Sequence, residues 1–288
     1  MPLRGFLCPW DGAEKPFAYC LKECLDRCHP LPVLAALADD RGHVSGVYHV
    51  TEIFNPPKVV YLHRHEDYYV EPESNAYTAF GTAYHLMVEQ GQLSLAKLGI
   101  TDHAILDHDP RATFRAEIKT DQGTAILTGR ADRYEPDTKT LWDYKTEKLY
   151  SIKKYLARDW EGVKHTWQLS TYRTFMFPEA ERLRLSCLVK DHGYQAKVRD
   201  GIKAIVNVDV PIIESGLIRE VVASKIGILL QNEADPSTIR DCLPEELWAN
   251  RIRCEQYCAV REFCLQGLAN SGTRSGAHGR NKKRQATR

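Results

Sequence analysis

The chain has 288 residues, 43% of them hydrophobic and 27% charged, with a net charge of +1. That length buries a full core and suits one large domain or two small ones, with the composition of an ordinary globular protein. No apolar run nears the roughly 20 residues that cross a bilayer, and none follows Arg4 near the start, so no membrane contact, no signal peptide and a cytoplasmic setting are expected.

In chain order, residues 1–30 form a Cys-rich head with Pro9, Gly12 and Pro16 as turn formers. Leu31 to Asp39 predicts a short helix. Thr51 predicts the N-cap of a helix broken at Pro56 and Pro57 and resumed over Val59, Val60 and Leu62. Asn75 to Gln90 reads as a longer helix ended by Gly91, with Phe80, Tyr84, Met87 and Val88 as its apolar stripe.

The period then changes. Thr113–Thr120, Ala125–Tyr134 and Thr140–Thr146 predict antiparallel strands, with turns at Gly123 and at residues 135–138. Helices are expected over Lys148–Arg158 and Val163–Phe177, strands over Arg182–Lys190 and Ala204–Val210, and a helix over Glu214–Gln231. This alternation predicts an α/β core over 31–240. No internal repeat is seen, although the two cysteine clusters share a loose likeness in spacing.

The chemistry concentrates in Leu127–Thr146. Asp132 ends one predicted strand, and Asp143 and Lys145 lie two apart on the next, hence on one face. Two carboxylates and a lysine on one sheet face are costly, since the carboxylates repel and resist desolvation, and a divalent cation relieves that cost. Carboxylate oxygens suit Mg²⁺ or Mn²⁺, which lowers the pKa of a bound water and steadies charge growing on a phosphate. Lys145 would orient the water, with Glu117 on the preceding strand in a supporting place. The bland alternative is an exposed strand face carrying a surface ion pair.

Four pieces in order, Gly81-Thr82-Ala83-Tyr84-His85, Gly129-Arg130-Ala131-Asp132, Asp143-Tyr144-Lys145-Thr146 and Gln168-Leu169-Ser170-Thr171-Tyr172, resemble the motifs of the PD-(D/E)XK nuclease superfamily, RecB-like exonucleases in particular. The resemblance spans roughly residues 48–265. It implies a restriction-endonuclease-like mixed sheet flanked by helices. It also implies metal ligation by His85, Asp132, Asp143 and the Tyr144 carbonyl, catalysis by Lys145, and positioning by Gln168 and Tyr172. The implied activity is Mg²⁺- or Mn²⁺-dependent hydrolysis of DNA, single-stranded ends above all, as in phage DNA-processing modules of a bacterial or phage-infected cell. The sequence lacks a Walker-type phosphate loop, so helicase activity would come from a partner in recombination or replication. The rival reading is a non-catalytic DNA-binding or scaffold subunit of such a complex.

Eight of the nine cysteines fall in two clusters, which without a secretory signal read as metal sites. Cys242, Cys254, Cys258 and Cys264, within 241–268, can close around one zinc or one cubane cluster. Their last three are similar to the [4Fe–4S] ligands of RecB-like nucleases, including those of CRISPR adaptation. Those relatives carry a fourth cysteine before the histidine helix, where this chain has Asn55-Pro56-Pro57-Lys58, so Cys242 is expected to substitute. At the other end, Cys20, Cys24 and Cys28 are expected on one helical face converging on Cys8, around a structural zinc, with a second iron–sulphur cluster as the alternative. Cys187 reads as core. Residues 269–288 carry six basic and no acidic side chains among Gly, Ser and Asn, and are expected to be a disordered tail attracted to phosphate.

Overall fold

The computed structural model describes residues 3–38, 42–248 and 251–271. Of the basic tail expected at 269–288, everything beyond residue 271 lies outside them. The strands are β1 (Leu3–Leu7), β2 (Glu14–Pro16), β3 (Val47–His49), β4 (Tyr68–Val70), β5 (Ile105–Leu106), β6 (Thr113–Thr120), β7 (Gly123–Arg130), β8 (Arg133–Glu135), β9 (Thr140–Glu147), β10 (Arg182–Val189) and β11 (Ile205–Val210). The helices are α1 (Leu31–Leu37), α2 (Val50–Ile53), α3 (Pro57–His65), α4 (Ala76–Lys97), α5 (Leu149–Leu156), α6 (Lys164–Phe175), α7 (Tyr194–Arg199), α8 (Ser215–Ala234) and α9 (Leu265–Ser271). Among the described residues no helix is long and apolar enough to cross a membrane.

The described parts of 1–43, 55–72 and 228–288 make one compact unit, and 44–54 with 73–227 make the other. Both cysteine clusters therefore belong to the first unit. Its sheet has the order β2-β1-β4, with β1 antiparallel to β2 and parallel to β4. Gly5 permits the close β1–β2 approach, since a Cβ there would lie 2.0 Å from the Lys15 carbonyl oxygen. Phe6 and Leu34 are fully buried, and Phe6 meets Phe17 edge-on at 4.8 Å.

Cys20, Cys24 and Cys28 do not share a helical face. The helical turn there is π-type, Tyr19–Glu23, and it stops where Cys24 turns extended. A single turn cannot carry an eight-residue stripe, so loop geometry sets the positions of the cysteines.

The second unit holds the α/β core, a mixed sheet flanked by helices. Its larger sheet runs β11-β10-β9-β8-β5, with β9 and β10 parallel through the crossover that contains α5 and α6, and the other pairs antiparallel. Helices α4 and α6 pack on β9, and α5 packs on β10 and β11. Leu127, Leu141, Ile152, Leu169, Leu183, Leu185 and the core cysteine Cys187 are fully buried. A smaller sheet has the order β3-β7-β6.

Three local expectations change. The expected strand 125–134 breaks after Arg130 and resumes at Arg133, in the other sheet. Helix α4 runs through Gly91 to Lys97, and its stop is Gly99, which takes φ +70° while Ile100 N–H bonds the Leu95 carbonyl. The cap before α2 is His49, not Thr51, with the Glu52 side chain accepting the His49 N–H.

Candidate active site

The strand break builds the site. Between β7 and β8, Ala131 is buried and gives its N–H to the Ala112 carbonyl at 2.9 Å. The chain passes there from one sheet to the other, and Asp132 turns its carboxylate onto β9. Its Oδ2 accepts the Tyr144 N–H at 2.7 Å, in place of a carbonyl from a neighbouring strand.

Asp143 and Lys145 share a face of β9 by the two-residue period. Lys145 Nζ lies 2.5 Å from Asp143 Oδ2, and Asp143 is only 2% exposed. Gln168 and Tyr172, one turn apart on α6, reach the same carboxylate. Gln168 Nε2 donates to Asp143 Oδ1 at 3.1 Å and to the Tyr172 hydroxyl at 3.4 Å. From α4, His85 places Nδ1 3.9 Å from Asp132 Oδ1 and sets its ring edge-on to Tyr144. Tyr84 anchors that helix through a 3.2 Å hydroxyl contact with Ser186 on β10.

Gly129 has a packing reason. A Cβ there would come within 2.6 Å of the Tyr172 ring, 2.8 Å of Phe114 and 2.9 Å of Val50. Tyr172 thus rests directly on the backbone of β7, three residues before Asp132, and only glycine admits it.

The electrostatics follow from burial and crowding. Burial, then the charge of Asp143, pushes the Asp132 carboxyl from 3.8 up to about 7. Burial opposes charge on Lys145, but Asp143 and Asp132 outweigh it and hold the ammonium above the ordinary lysine value. Burial and the nearby Lys145 lower His85, against Asp143, Asp107 and the Tyr144 backbone. Burial, then Asp143, raises the Tyr172 hydroxyl.

The structure therefore brings Asp132, Asp143, Lys145, His85, Gln168 and Tyr172 together. It does not bring Glu117, which is exposed and pairs with Lys119 at 3.7 Å. It adds Asp107, whose charge acts on both Asp132 and His85 and which lies 3.9 Å from Arg130. No motif marks Asp107. It arrives because β5 pairs with β8, Leu106 opposite Arg133.

Two carboxylates, an imidazole and a strand carbonyl are a hard, oxygen-rich donor set of the kind Mg²⁺ or Mn²⁺ takes. Asp132 Oδ2 and Asp143 Oδ1 each accept an N–H, Asp143 Oδ2 faces Lys145, and Asp132 Oδ1 points toward His85. Among the described residues no three His, Cys, Asp or Glu side chains are drawn closely enough to hold an ion.

The same holds for the cysteines, yet each set of four gathers on one cavity. Cys8, Cys20, Cys24 and Cys28 line one cavity of about 220 Å³, and Cys242, Cys254, Cys258 and Cys264 line a tighter one of about 10 Å³. Burial, then neighbouring cysteines, raises Cys20. Burial also raises Cys28 and Cys258, and pushes Cys242 up to about 12.

No family model matches the sequence, and neither does any curated protein. Among solved structures, the protein designated SSO0001 is similar at a TM-score of 0.49 and 16% identity, over 82% of this chain and 95% of that one. A phage-related exonuclease from Haemophilus somnus 129PT is similar at a TM-score of 0.33 and 12% identity, over 54% of this chain and 73% of that one. Likenesses this weak say nothing of activity, which has to be read from the site.

Proposed function

We propose that this chain is a metal-dependent deoxyribonuclease that hydrolyses DNA phosphodiester bonds, acting on single-stranded ends. The observation that carries the reading is the ion pair of buried Asp143 with half-buried Lys145, set beside a second, largely covered carboxylate, Asp132, at the break between two sheets. A purely structural role gives no return for this crowding, because well-packed apolar residues would fill the same space at no electrostatic cost. Perturbed groups gathered in this way mark sites of chemistry.

His85, Asp132, Asp143 and the Tyr144 carbonyl would hold the cation. Bound there, Mg²⁺ or Mn²⁺ supplies an activated water and neutralises charge on the phosphate. Lys145, kept charged by its two carboxylate neighbours, orients that water and offsets the charge that gathers on the phosphoryl oxygens. Gln168 fixes the Asp143 carboxylate through Oδ1, and Tyr172, seated on Gly129, fixes Gln168. These two are positioning residues. The preference for ends follows from the family resemblance, and a helicase or recombination partner would supply the single strands.

The test is cleavage of end-labelled linear and covalently closed circular single-stranded DNA with Mn²⁺ or Mg²⁺. Shortening of the linear strand, with the circle spared and EDTA stopping the reaction, is the expected result. No cleavage of either DNA with either metal overturns the proposal.

A further inference from the structure

The two four-cysteine loops are alike beyond their count. Their spacing begins identically, Cys8-x11-Cys20-x3-Cys24-x2-Arg27 in one and Cys242-x11-Cys254-x3-Cys258-x2-Arg261 in the other. In both, the second cysteine is the second residue of a five-residue π-helical turn, Tyr19–Glu23 or Arg253–Tyr257. The third cysteine ends that turn in an extended conformation, Cys24 at φ −64°, ψ 118° and Cys258 at φ −95°, ψ 104°.

The arginines do equivalent work. Arg27 Nη2 donates to the Leu21 carbonyl at 3.2 Å, and Arg261 Nη1 donates to the Glu255 carbonyl at 2.7 Å. Leu21 and Glu255 each directly follow the second cysteine of their loop. Each arginine thus folds the chain beyond the third cysteine back onto the π turn. The loops differ between the first two cysteines, strand β2 in one and the 3-10 turn Pro244–Leu247 in the other. They differ again at the last step, three residues to Cys28 against five to Cys264, where the turn Arg261–Phe263 takes up the extra length.

Isolated π turns are rare and cluster at functional sites. One such turn, placed on the same cysteine pair and clasped by the same arginine twice in one chain, points to a common ligating task. Each cavity is lined by all four of its cysteines together with charged side chains, Lys15 and Arg27 beside Asp11 and Asp26 in one, Lys58, Arg253 and Arg261 in the other. Four thiolates around a metal centre leave net negative charge, which the cations of the second cavity would offset.

We propose that the two loops are one ligating device used twice, each holding its own thiolate-bound metal centre, and both holding the same kind. The shared chemistry is a thiophilic centre with four cysteine ligands, zinc or an iron–sulphur cluster. This goes beyond the nuclease reading and does not depend on it.

The test is zinc, iron and acid-labile sulphide per chain, with the visible absorption spectrum, on anaerobically purified full-length protein and on Cys24→Ser and Cys258→Ser. The wild type is expected to carry two centres of one kind: two zinc ions without iron, or two clusters without zinc. Each variant is expected to lose one centre and keep the other. A single centre per chain, one zinc beside one cluster, or a variant that loses both or neither overturns the proposal. If a serine variant fails to fold, the wild-type content decides alone.

Discussion

The acidic site and the thiol loops meet opposite problems with opposite means. At the acidic site, regular strands and a helix fix charged groups through protein donors: the Tyr144 N–H on Asp132, Gln168 and Lys145 on Asp143. The thiol loops are short irregular turns whose cysteines surround cavities. One arrangement is organised by the fold before any ion arrives. The other would need the proposed metal to give its cysteines a common partner. On the proposed reading, an ion at the first would be exchangeable and an ion at the second would be structural.

Metal removal should separate them most sharply. EDTA is expected to abolish cleavage while leaving the second unit folded, whereas stripping the thiol-bound metal unfolds the cysteine loops, read by circular dichroism and limited proteolysis. Retention of both loops after complete stripping would break the contrast. Next in size is Gln168→Ala, which frees Asp143 to turn and should cost about 10–100-fold in metal affinity or cleavage, with thermal stability little changed. Gly129→Ala forces Tyr172 off the backbone of β7, and denaturant titration should show a loss of about 1–3 kcal/mol, together with weakened cleavage.

The smallest effect is on pH dependence. Asp132 has its folded-state pKa raised from 3.8 to about 7, so between those values the folded protein holds a proton that the unfolded chain has released. Stability contributed by this group therefore falls as pH rises through that window. Melting of metal-free protein across the window should show the slope in the wild type and a flatter profile in Asp132→Asn, with the variant the more stable above pH 7. A steeper slope in the variant would contradict the assignment.

The same contrast explains what could be read in the sequence. Strand period alone places Asp143 and Lys145 on one face, and β6 runs Thr113–Thr120 as its residues predict. The break at Ala131 and Asp132 is not visible, because no glycine or proline marks it and the bond that makes it comes from Ala112. Asp107 is equally silent, since its place depends on the pairing of β5 with β8. Of the expected stripe on α4, Tyr84 is buried but Phe80 and Met87 are exposed, a matter of what packs on the helix rather than of its period. Both thiol loops are legible as clusters, but the helical face expected for Cys20, Cys24 and Cys28 is not the geometry they take. Spacing of three invites an α-helix, while the π turn and its arginine clasp emerge only from backbone bonds.

Lys145→Ala tests the proposed function most directly, because the lysine would ligate no metal and yet would face the phosphate being cleaved. Single-turnover cleavage of a linear single strand at saturating Mn²⁺ should fall by about 10²–10³-fold, with the strand still bound and the protein still folded. Cleavage at the wild-type rate would mean that the Asp143–Lys145 pair is only an internal salt bridge, and that the chemistry, if any, lies elsewhere.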